Sequence, residues 1–155
     1  MTWEKDTMDI EAFMRGYQAA WQQRDEQLLC SLFAPDAVYH NTPFAEQRGL
    51  GAIAEYWQRV KLQEDIHLDF TVLARTAHGG VAHWHVSYQV ASEELFKIWA
   101  ASSGTHLLSR QSGDPLPRLA LDGVLTADFN DAGLYQTCRL WWHSQVIPVP
   151  AAPGS

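Results

Sequence analysis

The sequence predicts an α+β fold in which N-terminal helices cover one face of a curved antiparallel sheet. Three observations lead there. Through roughly the first sixty residues the apolar side chains recur every three or four positions, the period of a helix. From Leu68 onward they alternate with polar ones, the period of a strand. The chain then closes with two alternating runs, Leu119 to Phe129 and Tyr135 to His143, joined by Asn130-Asp-Ala-Gly133, which read as a hairpin with one oily face. Helices followed by a meander of strands bury their apolar faces against each other. The result expected here is a small cup that encloses an apolar ligand.

Each element follows in order. Ile10, Phe13, Met14, Tyr17, Ala20 and Trp21 make one helical stripe, with Thr7 or Asp9 as its cap. A second short helix runs from an Asp25 cap through Leu28, Leu29, Leu32 and Phe33 and stops at Pro35, which has no N–H to continue it. Ala37 to His40 is a short strand, and Asn41-Thr-Pro43 turns the chain. Gly49 and Gly51 open a third helix carrying Ile53, Tyr56, Trp57 and Val60. Leu68, Phe70 and Val72 form a strand that turns at His78-Gly-Gly80 into Ala82, Trp84, Val86, Tyr88 and Val90. Glu93 to Ala101 reads as a further strand, residues 102–118 as a long surface loop, and 146–155 as a flexible tail beyond a single domain of residues 1–145.

Composition bounds the partners. A chain of 155 residues makes one domain with its own core, and 7 Trp, 6 Phe and 5 Tyr are more aromatic surface than that core needs. A formal charge of -7 argues against nucleic acid and anionic membranes as partners, since their binding depends on clustered Lys and Arg. The first residues lack the basic start and apolar run of a signal peptide, and no stretch approaches the ~20 apolar residues of a membrane span, so a cytoplasmic location is expected. Cys30 and Cys138 sit among apolar neighbours and are read as packed thiols, not as a disulfide.

Alternation assigns the faces of the sheet. Trp84, Tyr88, Leu125, Cys138, Leu140 and Trp142 take the inner face, joined by Tyr17, Trp21, Tyr39 and Tyr56 from the helices and the short strand. His83, His85, Gln89, Tyr135, Thr137, Arg139 and Trp141 take the outer face, a mixed polar and aromatic surface of the kind a second copy covers, so a homodimer is expected. His83-x-His85 places two imidazoles about 7 Å apart on one face, which is short of a metal site without a third ligand. Asp69 and Asp122 fall on solvated positions. No Ser or Cys stands in a nucleophile motif and no glycine-rich stretch fits a phosphate cradle, so no cofactor is expected.

The order Tyr17, Trp21, Asp25, Leu32-Phe-Ala-Pro-Asp36, Pro43, Gly51-x-Ile53 and Tyr56-Trp57, then Gly123, Phe129, Gly133 and Trp141-Trp-His143, resembles the nuclear-transport-factor-2-like superfamily, in its SnoaL-like branch. The resemblance spans residues 9 to 145 and implies a cone-shaped half-barrel, usually dimeric, with a hydrophobic pocket. It fixes no reaction, because that fold serves isomerases, cyclases, hydrolases, dehydratases and non-catalytic members. By the same resemblance the oxyanion tyrosine of ketosteroid isomerases falls on Tyr17, their base on Asn41 and their second aspartate on Leu125. An amide accepts no proton at neutral pH and leucine donates none, so that mechanism is not expected here. The acid/base aspartate of SnoaL-type cyclases also falls near Leu125, and the Asp-Arg-Asp set of the epoxide hydrolases has no counterpart.

The sequence therefore points to a domain enclosing a small hydrophobic, cyclic or aromatic molecule. Tyr17 and Asn41 are its polar anchors and the sole candidates for acid/base work. Trp21, Tyr39, Tyr56, Trp84, Tyr88, Leu125, Leu140 and Trp142 surround them. For Tyr17 a core role, with its hydroxyl on a backbone carbonyl, stays equally open. The rival reading is a non-catalytic dimerisation or interaction module working through Tyr135 and Trp141.

Overall fold

The computed structural model describes residues 9–103 and 114–147. Helix α1 is Ile10–Gln23, with all six stripe residues buried. Asp9 is its cap: the carboxylate accepts the Ala12 N–H at 2.9 Å. Helix α2 is Glu26–Ser31, capped in the same way by Asp25 on Leu28. It stops before Phe33, which instead opens strand β1, Phe33–Thr42, with Pro35 inside the strand. Proline is tolerated there because the pairing of β1 with its neighbour slips between Phe33 and Val38, so the missing N–H falls where the ladder is already interrupted. A short strand β2, Ala45–Arg48, follows, and then helix α3, Gly49–Tyr56, which continues as the 3-10 helix Trp57–Leu62.

Strands β3, Gln63–Thr76, and β4, Gly79–Val90, form the predicted hairpin, and β5, Arg118–Phe129, and β6, Tyr135–Ile147, form the closing one. Gly79 is required at the first turn, since a Cβ there would lie 1.8 Å from the Ala127 carbonyl oxygen. The six strands pair in the order β2-β1-β6-β5-β4-β3. The sheet is mixed where an antiparallel one was expected, because β1 runs parallel to β6. Period-2 alternation fixes the face a side chain takes, not the strand that lies beside it.

Two further expectations are corrected. Glu93–Ser103 is a helix, α4, not a strand. Ser92 caps it through Oγ on the Leu95 N–H, and Leu95, Phe96, Trp99 and Ala100 repeat at helical spacing against the core. Tyr135 lies inside, not outside, and is 3% exposed. Phe129 pairs with Tyr135 while Asp128 pairs with Thr137, so Gln136 is bulged out and the parity of β6 inverts before it. Of the expected 102–118 loop, Ser102 and Ser103 finish α4 and Arg118 opens β5, while 104–113 lie outside the described residues. Strand β6 likewise runs to Ile147, into the expected tail, whose remainder is outside them too.

Helices α1 and α4 pack on the concave face, and the core beneath α1 is aromatic, with Phe13 against Phe33, Tyr17 and Tyr135. Both cysteines are free. Among the described residues no helix is long and apolar enough to cross a membrane.

Gly123 shapes the open end of the cone. It pairs with Trp84 on β4 and Trp142 on β6, so all three share one face and the glycine leaves room between two indoles. A Cβ there would lie 2.3 Å from the Trp141 carbonyl oxygen and 2.7 Å from the Trp142 Cβ. Gly123→Ala should therefore cost about 1–3 kcal/mol. Calorimetry should register this as a melting point lower by several degrees, and an unchanged melting point would show that the row has slack.

Candidate functional site

The cone holds a cavity of about 280 Å³ between the sheet, α1, the α3 segment and α4. Its walls include Tyr17 and Trp21 from α1, Tyr39 and Asn41 from β1, and Tyr56 from α3. Trp84 and Tyr88 from β4, and Leu140 and Trp142 from β6, complete the predicted set that lines it. Leu125 does not line it. That residue is fully buried in the core, opposite Ala82 and Leu140. Cys138 is also fully buried and away from the cavity wall.

Several wall residues escaped the sequence reading. Leu95, Ile98 and Trp99 belong to α4, which the strand assignment hid, although Ser92 followed by two glutamates and an apolar pair repeated four residues on was a helix signal. Arg59 and Gln63 come from the 3-10 helix and the start of β3. Nothing in their spacing set them apart from surface residues.

The polar groups in the wall are mostly paired. Tyr17 and Tyr39 share a hydroxyl–hydroxyl hydrogen bond of 2.7 Å, fully enclosed. Burial, above all, raises both phenols well above their usual range; Tyr39 pushes Tyr17 up further, while the hydrogen bonds from Tyr17 and Trp57 pull Tyr39 part of the way back. Both stay neutral at any ordinary pH. Two hydroxyl hydrogens and one bond between them leave one hydrogen unused by the pair. Trp21 Nε1 donates to Gln63 Oε1 at 2.7 Å, Trp142 Nε1 to the Asn41 carbonyl at 2.6 Å, and Trp99 Nε1 to Ser144 Oγ at 2.6 Å.

Two groups are left over. Trp84 Nε1 and Asn41 Oδ1 are both buried and both lack a hydrogen-bond partner. Trp84 is 1% exposed. A buried polar group left unmatched costs about 1–3 kcal/mol. The Asn41 side chain also bonds the Tyr56 hydroxyl, whose pKa is raised by burial and pulled back by Arg59 and by that bond.

Arg59 lies over the Tyr56 ring, its Cζ 3.9 Å from the centroid, and its Nε donates to the Tyr56 carbonyl at 3.1 Å. It is the one charged residue in the described wall, which contains no carboxylate, imidazole or thiol. The wall can therefore donate hydrogen bonds and offer one positive charge, but it offers no base.

The histidine pair of the outer face is organised differently. His83 Nε2 and His85 Nδ1 each reach one oxygen of Asp122, at 2.9 and 3.1 Å. The hydrogen bond from His83 leads in holding the Asp122 carboxyl below its usual range. No group of three His, Cys, Asp or Glu among the described residues is arranged to hold a metal ion. Trp141, 43% exposed, stands on the same face.

No curated protein sequence matches this chain significantly. Among solved structures it is similar to a candidate polyketide cyclase from Xanthomonas campestris pv. campestris, with a TM-score of 0.61 at 17% identity over 84% of this chain and 87% of that one. It is similar to the Δ5-3-ketosteroid isomerase of Mycobacterium sp. to the same TM-score, 0.61, at 14% identity over 89% and 98%. A second candidate polyketide cyclase, from Pseudomonas putida KT2440, superposes with a TM-score of 0.58 at 16% identity over 83% and 87%. At these identities the likeness is one of fold. A family model described as a SnoaL-like domain matches residues 14–114, most of the chain, and with the cone and its helix-covered sheet this makes the protein a member of the SnoaL-like domain family, within the nuclear-transport-factor-2-like superfamily.

Proposed function

We propose that the chain binds a small hydrophobic, cyclic or aromatic molecule inside the cone. The observation that carries this reading is Trp84 Nε1, a buried donor that belongs to a cavity-wall residue and has no acceptor in the protein. Such a group is accounted for when its partner arrives with a ligand. The aromatic wall supplies the affinity and the spare hydrogen of the Tyr17–Tyr39 pair a second anchor. Size narrows the class. An apolar cavity of about 150 Å³ accommodates benzene. At about 280 Å³ this cavity suits one or two rings and is tight for a four-ring body. The described wall has no base, so the proposal is binding, with hydrogen-bond donation from neutral phenols as the chemistry available to a bound molecule.

A thermal-shift panel of one-, two- and four-ring compounds tests it. A ligand at ~100 times its dissociation constant adds ~2.7 kcal/mol of stability, several degrees for a domain of this size. One- and two-ring compounds bearing an oxygen should raise the melting point of the wild type and lose most of that rise in Trp84→Phe. Equal shifts in both proteins, or none in either, would count against the reading.

We further propose that the chain is a homodimer through the outer sheet face, the surface that the interaction-module reading also uses. The half-exposed Trp141 ring on that face supports it. Trp141→Asp should sediment as a monomer at concentrations where the wild type is dimeric, and a monomeric wild type would end the proposal.

A further inference from the structure

The charge balance of the cavity says more about its occupant than its shape does. The chain carries 18 acidic residues against 11 Lys and Arg, so an arginine has carboxylates to choose from. Arg15, Arg48, Arg75 and Arg118 each stand within ion-pairing distance of one. Arg59, like Arg24 and Arg139, pairs with none among the described residues, but of these three it is the one in the cavity wall. It is half-buried against the cavity, fixed over the Tyr56 ring, and uses one N–H on the Tyr56 carbonyl. A guanidinium has five N–H donors, so the two-pronged edge that matches a carboxylate is left free. Its charge is also felt at the Tyr88 hydroxyl, across the wall from Tyr56.

One cavity wall thus contains two residues with a buried unmatched atom, Trp84 at its indole N–H and Asn41 at its side-chain carbonyl, and one guanidinium without a carboxylate, that of Arg59. We propose that the ligand is a ring-bearing hydroxy-carboxylate, its monoanionic carboxylate paired with Arg59, its one or two rings among the aromatic walls, and its hydroxyl against Trp84 Nε1 or Asn41 Oδ1. The inference rests on the reading of the cone as a binding cavity and deepens it. A dianionic phosphate is disfavoured because the described wall holds a single positive charge, and a neutral ligand leaves that charge unpaired. Arg59 is placed to select the charge of the ligand, and the rings to select its size.

Calorimetric titration of the full chain with three two-ring probes tests this: 6-hydroxy-2-naphthoate, its methyl ester and 2-naphthol. The acid should bind the wild type at least tenfold more tightly than the ester. Arg59→Gln, checked for an unchanged melting point, should lose that tenfold preference while its affinity for the ester and for 2-naphthol stays within about twofold, and Arg59→Lys should keep part of it. Should Arg59→Gln melt early, Arg59→Lys together with a fall in the acid's affinity, and not the ester's, at higher ionic strength carries the same test. Ester and acid binding equally, with Arg59→Gln indifferent, would overturn the carboxylate while leaving the apolar cavity standing. No binding of any probe would overturn both.

Discussion

Above pH 10 the protein is expected to unfold steeply, with all of its tyrosines ionising together. The chain has 5 Tyr, and burial raises the pKa of every one: Tyr17 and Tyr39 furthest into the cone, Tyr56 and Tyr88 in its wall, and Tyr135 under α1. The folded state therefore holds these protons above the pH at which an unfolded chain, with phenols near 10, releases them. Their contribution to stability is complete below pH 10 and is lost as pH rises from there towards the folded values. Each such group removes up to about 1.4 kcal/mol per pH unit, so five together remove up to about 7. Against a typical stability of ~5–15 kcal/mol that leaves little beyond one or two pH units above 10. The buried Cys138 thiol, also pushed up by burial, begins the loss nearer pH 9. Tyrosinate absorbance and far-ultraviolet circular dichroism, followed together, should change in one coincident step. Phenols titrating singly near pH 10 with the secondary structure intact would mean that water reaches the cone.

The parts of the molecule legible in the sequence are those written in local periodicity and turn chemistry. Trp84, Tyr88, Leu140 and Trp142 share a face because strand parity says so, and their pairing partners preserve it. The Asn130 turn closes through that residue's own side chain, which accepts from the Ala132 and Leu134 N–H groups. What was hidden depends on a single residue out of step or on a distant partner. One bulge at Gln136 carries Tyr135 from the outer to the inner face. A seryl cap at Ser92 turns an apparent strand into α4 and brings Trp99 to the cavity. Arg59 looked like any surface arginine, since a ring three residues back is an ordinary helical neighbour and the lack of a facing carboxylate is not a local property. Trp84 and Asn41 were legible as wall residues, but not as unmatched ones, because hydrogen-bond satisfaction is settled only in three dimensions.

Leu125→Asp is the second large effect. The resemblance to ketosteroid isomerases and SnoaL-type cyclases puts an aspartate at this position, which makes the substitution a natural attempt to restore a family carboxylate. In this protein it should destroy the fold instead. Leu125 is fully buried, faces Ala82 and Leu140 on the neighbouring strands, and does not reach the cavity. Truncating a buried leucine costs about 2–5 kcal/mol. A carboxylate left unpaired in its place adds about 3–5 kcal/mol more when ionised, enough together to rival the stability of a whole domain. The sign of the pH dependence separates the two parts. Burial would raise the introduced carboxyl above its unfolded value of about 3.9, so the folded state would keep its proton longer and the loss would deepen as pH rises from about 4 through the raised value. Urea unfolding should therefore find the variant less damaged at pH 5 than at pH 8, while Leu125→Asn, with the same cavity and no charge, should be equally destabilised at both. If Leu125→Asp keeps wild-type stability at pH 8, its carboxylate has reached water, and Leu125 belongs to the cavity wall after all.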